Sequence, residues 1–174
     1  QIMALKSAEI AGIQVPPKVY RGAANWMDKV RKGKRGGLFA YQPNRSPSDA
    51  MTAEGLFIEQ YIEFNPASPR TEEAVRFIMK HPPHKGKPNY YYWYYATLAL
   101  YQIGGDAWET WNEDMKRTLI GKQRKEGPYF GSWDPNSEWG SHGGRVYSTA
   151  IGALTLEVYY RYVSLYRLKL DQLG

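Results

Sequence analysis

Asp134, Glu138, His142 and Arg145 recur at three- and four-residue spacing in one polar stretch of a 174-residue chain. Two carboxyl groups with a nearby imidazole could do acid-base work, one donating a proton to a leaving oxygen while another accepts one. That is the chemistry of a glycosidase or polysaccharide lyase built on a helical barrel. The same residues also suit scaffolding. Asp134 before Pro135 favours a turn, and Arg145 could satisfy backbone carbonyls or pair with a carboxylate. Scaffolding is the leading reading and catalysis the alternative, so these four are the only catalytic candidates.

His81 and His84 flank Pro82-Pro83, which places them in a turn as loop histidines rather than metal ligands. The chain has no Cys, which removes disulfides, thiolate zinc sites and cysteine nucleophiles. No metal and no cofactor is expected. Lys and Arg number 23 against 17 Asp and Glu, a formal charge of +6. The one dense basic run, Lys29, Arg31, Lys32, Lys34 and Arg35, reads as a solvated helix C-terminus, where cations complement the dipole. No nucleic-acid motif accompanies it, so no nucleic-acid partner is expected.

Aromatic residues make up 15% of the chain, with 15 Tyr and 6 Trp. They concentrate in NYYYWYYATLALYQI, residues 89 to 103. There Tyr91, Tyr95, Leu98 and Gln102 follow one face, and Tyr90, Trp93, Tyr94 and Tyr101 spread over others. A helix apolar all round is usually buried between neighbours. The sharper alternative is a concave wall that binds an apolar ligand, a sugar face or a protein through Tyr91, Trp93, Tyr95, Trp133 and Tyr147.

These residues need elements to hold them, and the apolar period of three to four predicts seven helices. They cover residues 1 to 13, 16 to 32, 49 to 63, 70 to 80, 89 to 103, 106 to about 122, and about 145 to 168. Pro16 and Pro17 suit a first helical turn, Thr71 opens the fourth helix, and Asp106 with Glu109 has capping-box spacing for the sixth. Strand alternation is nearly absent. No stretch reaches the roughly 20 apolar residues needed to span a bilayer. The first residues lack the basic and apolar regions of a signal peptide. The chain starts abruptly in the apparently helical QIMALKSAEIAGI with no capping residue before it, so it reads as a fragment of a longer protein. Its compartment is undetermined, and is extracytoplasmic if the parent chain carries a signal peptide.

The helices pair into repeated hairpins, about 16 to 63, 70 to 103 and 106 to 168. The second helix of each aligns on a small residue followed by a bulky one: Ala53 with Phe57, Ala96 with Leu100, Ala150 with Leu154. Small residues let a neighbouring helix approach closely, so all three alanines are expected to pack. MTAEG and STAIG share Thr-Ala-x-Gly. The loops before them share an aromatic and a Pro-Asn pair, YQPN at 41 to 44 and WDPN at 133 to 136.

Gln123 followed by Gly131-Ser132-Trp133, ahead of VYSTAIGALTLEVYYRY, resembles the QW motif of the prenyltransferase and squalene-oxidase repeat. The resemblance spans about residues 16 to 166 and is closest to planctomycete-type bacterial repeat proteins of that superfamily. It implies the α/α toroid of terpenoid cyclases and prenyltransferase β-subunits. The cyclases' Asp-x-Asp-Asp-Thr-Ala acid motif has no acid at its acidic positions when laid on Thr52-Ala53 or Thr149-Ala150. The prenyltransferases' Asp, Cys and His zinc ligands are missing as well.

The resulting expectation is an all-α, partial α/α toroid of about three hairpins plus a leading helix, forming a single domain over 1–174. Its expected function is a binding or scaffolding module rather than an enzyme, with other domains of the parent chain as further partners. The alternative is a fragment of a terpenoid cyclase-like or polysaccharide-active enzyme.

Overall fold

The computed structural model describes residues 1–62 and 65–161. Among these the apolar periodicity becomes seven helices: α1 (Ile2–Ile10), α2 (Pro17–Val30), α3 (Asp49–Ile62), α4 (Pro69–Met79), α5 (Tyr90–Ile103), α6 (Gly105–Lys122) and α7 (Gly140–Arg161). An antiparallel ladder of β1 (Arg31–Lys32) and β2 (Leu38–Phe39) lies between α2 and α3. The fold is all-α. Residue 63 and residues 162 to 168 of the expected helices lie outside the described residues. Contacts divide the chain into two compact units, Gln1–Ala74 and Val75–Gly174.

Helix starts follow local chemistry. Pro17 occupies the first turn of α2, where its missing N–H costs nothing. Asn89 caps α5 by accepting from the Tyr92 amide at 3.0 Å. Two expected caps are corrected. α4 begins at Pro69, and the Ser68 hydroxyl accepts from the Thr71 amide at 3.1 Å. Thr71 instead turns its own hydroxyl to the Asn65 carbonyl, 2.8 Å away. α6 begins at Gly105 without a side-chain cap, so Asp106 is a first-turn acid favoured by the dipole.

In the first unit, Met27 and Val30 of α2 pack with Phe39 of β2, against Met51 and Ile58 of α3. The basic run is not a helix C-terminus as expected, because only Lys29 lies in the last turn of α2. Arg31 is largely buried, pairs with Glu59, donates to the Gly36 carbonyl at 2.7 Å and stands 5.0 Å over the Phe39 ring. Beyond it, the amides of Lys34, Arg35 and Gly37 donate to the Glu73 carboxylate at 2.8, 2.9 and 2.9 Å. Burial would raise the Glu73 carboxyl, but these three amides and the Arg35 charge hold it below its ordinary value. The loop can close this tightly because Gly37 has no side chain: a Cβ there would lie 2.1 Å from the Arg70 carbonyl.

In the second unit α5 packs against both α6 and α7. Tyr90, Tyr92, Trp93, Ala96, Leu98, Ala99 and Leu100 are all buried, as a helix apolar on every side requires. Its polar atoms find partners. Trp111 Nε1 donates to the Thr97 hydroxyl at 2.9 Å, which donates to the Trp93 carbonyl at 2.6 Å. The Tyr92 hydroxyl donates to the His81 carbonyl at 3.0 Å, and its ring meets Trp111 edge-on.

One arrangement occurs in both units. α2 ends at Arg31, in extended geometry and paired antiparallel with Phe39; α6 ends at Gln123, also extended and paired antiparallel with Trp133. The Phe39 amide donates to the Thr52 hydroxyl at 3.2 Å, and the Trp133 amide donates to the Thr149 hydroxyl at 3.2 Å. Each ring then lies on the glycine of Thr-Ala-x-Gly. A Cβ at Gly55 would sit 2.1 Å from the Phe39 ring, and one at Gly152 would sit 3.1 Å from Trp133. Thr-Ala-x-Gly is therefore a latch in which threonine holds the backbone of an aromatic residue and glycine receives its ring.

The latch corrects two alignments. Phe39, not Tyr41, is the counterpart of Trp133; Tyr41 is exposed. Ala53 and Ala96 are fully buried as expected, but Ala150 is exposed and Leu154 only half-buried. In α7 the residues turned inward are Ser148, Ile151, Gly152, Thr155 and Val158.

Candidate functional site

The loop from Gln123 to Gly140 brings the polar candidates to α5 and α7. Gln123 donates through Nε2 to the Gly131 carbonyl at 2.9 Å, and Trp133 donates through Nε1 to the Leu119 carbonyl at 2.7 Å. This closes the loop and leaves Asp134 beside two guanidinium groups. Arg124 lies 2.7 Å from one of its carboxylate oxygens and Arg145 2.6 Å from the other. Hydrogen bonds from Arg124 and Arg145 hold the Asp134 carboxyl below the usual carboxylate range. A general acid needs the opposite shift. Arg145 also donates to the Ser132 hydroxyl at 2.9 Å and lies 4.1 Å over the Tyr129 ring.

The other two candidates keep different company. Glu138 accepts from the Asn89 amide group, and its own N–H bonds the Pro88 carbonyl at 3.2 Å. This ties the loop to the start of α5. His142 Nδ1 lies 3.2 Å from the Ser141 hydroxyl, with its ring 6.0 Å from Trp139. Of the four candidates, the structure joins Asp134 with Arg145 as an ion pair.

The aromatic candidates separate into two groups. Trp93 and Trp133, expected on a binding wall, are each only 3% exposed and belong to the core. The cause is the latch for Trp133, and for Trp93 a position on the fully enclosed part of α5. Tyr91, Tyr95 and Tyr147 are half-buried. The Tyr91 and Tyr95 rings are 4.9 Å apart and tilted, and Tyr94 meets Tyr95 edge-on at 5.3 Å. Burial pushes the Tyr147 phenol up, with Tyr95 and Glu138 adding to it. The Tyr147 hydroxyl is buried without a hydrogen-bond partner. Two helices and a loop thus assemble tyrosine rings with Asn89 and Glu138 at their edge, an apolar surface bordered by polar groups.

Sequence reasoning missed one polar cluster. His84 is not merely a solvated loop residue, since its Nδ1 lies 2.8 Å from the buried Asp114 carboxylate, which also accepts from Arg117 at 2.7 Å. Burial would raise Asp114, but His84 and Arg117 hold it low. The partners are far apart in sequence, and no local spacing announces them. His81 stays exposed, its ring 4.7 Å from Phe77.

Among the described residues no helix is long and apolar enough to cross a membrane, and no three His, Asp or Glu side chains gather as a metal site. No protein-family model, curated protein or solved structure matches the chain.

Proposed function

We propose that the chain is a non-catalytic binding module of the squalene-cyclase and prenyltransferase repeat type, which holds a carbohydrate face on the tyrosines of α5 and α7. The observation that carries this is the cluster of Tyr91, Tyr94 and Tyr95, half-buried and packed ring against ring, with the half-buried Tyr147 phenol near enough to feel the Tyr95 charge. Rings fixed by one another lose little entropy on binding, and their faces suit the C–H side of a sugar. Asn89 and Glu138 at the edge supply the donors and acceptors that orient hydroxyls. The repeat assignment draws support from the latch, which recurs in two hairpins with matching partners.

Asp134 supports the non-catalytic reading. A carboxylate gripped by two arginines neither donates a proton at neutral pH nor is free to attack. Asp134→Asn should therefore loosen the loop, read as a lower melting temperature, rather than abolish a reaction in a folded protein.

Affinity electrophoresis through gels containing soluble β-glucan, xylan or starch tests the binding. The expected result is retardation by at least one of them, lost in Tyr95→Ala with the circular dichroism spectrum unchanged. Equal mobility in every gel, or retardation that survives Tyr95→Ala and Tyr91→Ala, would sink the assignment.

A further inference from the structure

The internal repeat supplies a control for judging exposed surface, because the latch fixes the register between α3 and α7. Thr52 matches Thr149 and Gly55 matches Gly152, so Ala53, Leu56, Phe57 and Gln60 match Ala150, Ala153, Leu154 and Glu157. All four α3 residues are buried. Their α7 counterparts are not: Ala150 and Glu157 are exposed, and Ala153 and Leu154 half-buried. The open face continues to Val146, 83% exposed, and Tyr160, 79% exposed. A face that is a packing seam in one copy stands bare in the other.

The same chain carries a second bare apolar surface, on α1 and α2. Ile10, Ile13, Val19 and Trp26 are exposed, and Val19, Gly22 and Trp26 follow one stripe of α2. A Cβ added at Gly22 would meet nothing within 4 Å. Beside this stripe the turn between α1 and α2 forms an open cavity of about 530 Å³ lined by Ile13, Val15, Pro16 and Pro17. Both stripes have small residues at the centre, Gly22 with Ala23 and Ala150 with Ala153, and a bulky aromatic at one end, Trp26 and Tyr160. Helices with small central residues approach closely, and the flanking rings cover the edges.

We propose that the α7 face of one molecule docks on the α1–α2 face of a second copy. The occupant is a second copy because the same chain carries a second stripe of the same character as the α7 face, exposed, apolar and small at its centre. The contact is heterologous, so it adds copies one after another unless the rotation closes. Two single-helix stripes make a small interface, so the expected association is weak, with a dissociation constant on the order of 10 μM.

Sedimentation equilibrium of the 174-residue protein, from well below to well above that concentration, reads the association directly. The expected result is a mass that climbs past the dimer with concentration. Ala150→Arg and Trp26→Glu, both at exposed positions, should each sediment as monomers with unchanged melting temperature. Mixed together, they should form a one-to-one dimer, since each retains the face that the other has lost. A wild-type protein that stays monomeric throughout would overturn the proposal. So would a Trp26→Glu variant that still self-associates, which would mean that α7 pairs with α7, or a mixture that does not associate.

Discussion

The latch of the first unit and that of the second share a hydrogen bond of the same length but spend different forces on it. Phe39 is pressed onto Gly55 so closely that a Cβ would stand 2.1 Å from its ring, and the accepting Thr52 is fully buried. Trp133 sits more loosely, 3.1 Å from a Cβ at Gly152, on a half-buried Thr149, and adds an indole hydrogen bond to Leu119. One copy relies on steric fit and burial, the other on an extra polar contact. A repeat can therefore conserve a backbone geometry while exchanging the interactions that stabilise it.

Substitutions at the two glycines should separate the copies most. Gly55→Ala forces Phe39 out of place and should destabilise the first unit by about 3 kcal/mol. At Gly152 the crowding is milder and is offset by the gain of about 1 kcal/mol in helix propensity, so Gly152→Ala should be near neutral. Urea denaturation of both variants measures the contrast, and equal losses would break it. Next come the threonines. Thr52→Val strands the Phe39 amide in a buried setting at about 2 kcal/mol, against about 1 kcal/mol for Thr149→Val at its wetter site.

Trp133→Phe keeps a ring over Gly152 but removes the bond to Leu119, and should cost the second unit about 1 kcal/mol; Phe39 has no such bond to lose. The smallest effect is on acid stability. Glu73 in the first unit and Asp114 in the second both have carboxyls held low in the folded protein. Their stabilisation is complete above the unfolded values, near pH 4, and is lost as pH falls through the folded ones. Glu73→Gln should flatten the acid limb of the first unit and leave that of the second, which NMR signals from each unit resolve in a pH titration.

Much of this architecture is legible in the amino-acid sequence. Apolar spacing places the seven helices found among the described residues, because a helix must present a stripe to its neighbours whatever they are. The Thr-Ala-x-Gly repeat also showed in the sequence, but its mechanism did not. The shared Pro-Asn pairs drew the alignment onto Tyr41, whereas the partner is Phe39, chosen by a two-residue ladder too short to leave an alternating pattern. Ala150 looked like Ala53 because composition carries no record of whether a neighbouring helix is present. Trp93 and Trp133 passed as binding residues for a related reason: an aromatic ring suits a core and a wall equally well. The pairing of Arg145 with a carboxylate was readable, and the tie between His84 and Asp114 was not, since it crosses from a loop to a separate helix.

α7 is broken at Gly144, whose φ of 65° and ψ of −165° are foreign to a helix. Amides just past such a break lack the carbonyl four residues back that would otherwise cover them. Solvent deuterium should reach the turn after Gly144 long before it reaches the stretch around Thr155. The short turn at Gly140 and the long segment beyond it should then open and close as separate pieces, with the Trp133 latch fastened to the slower one.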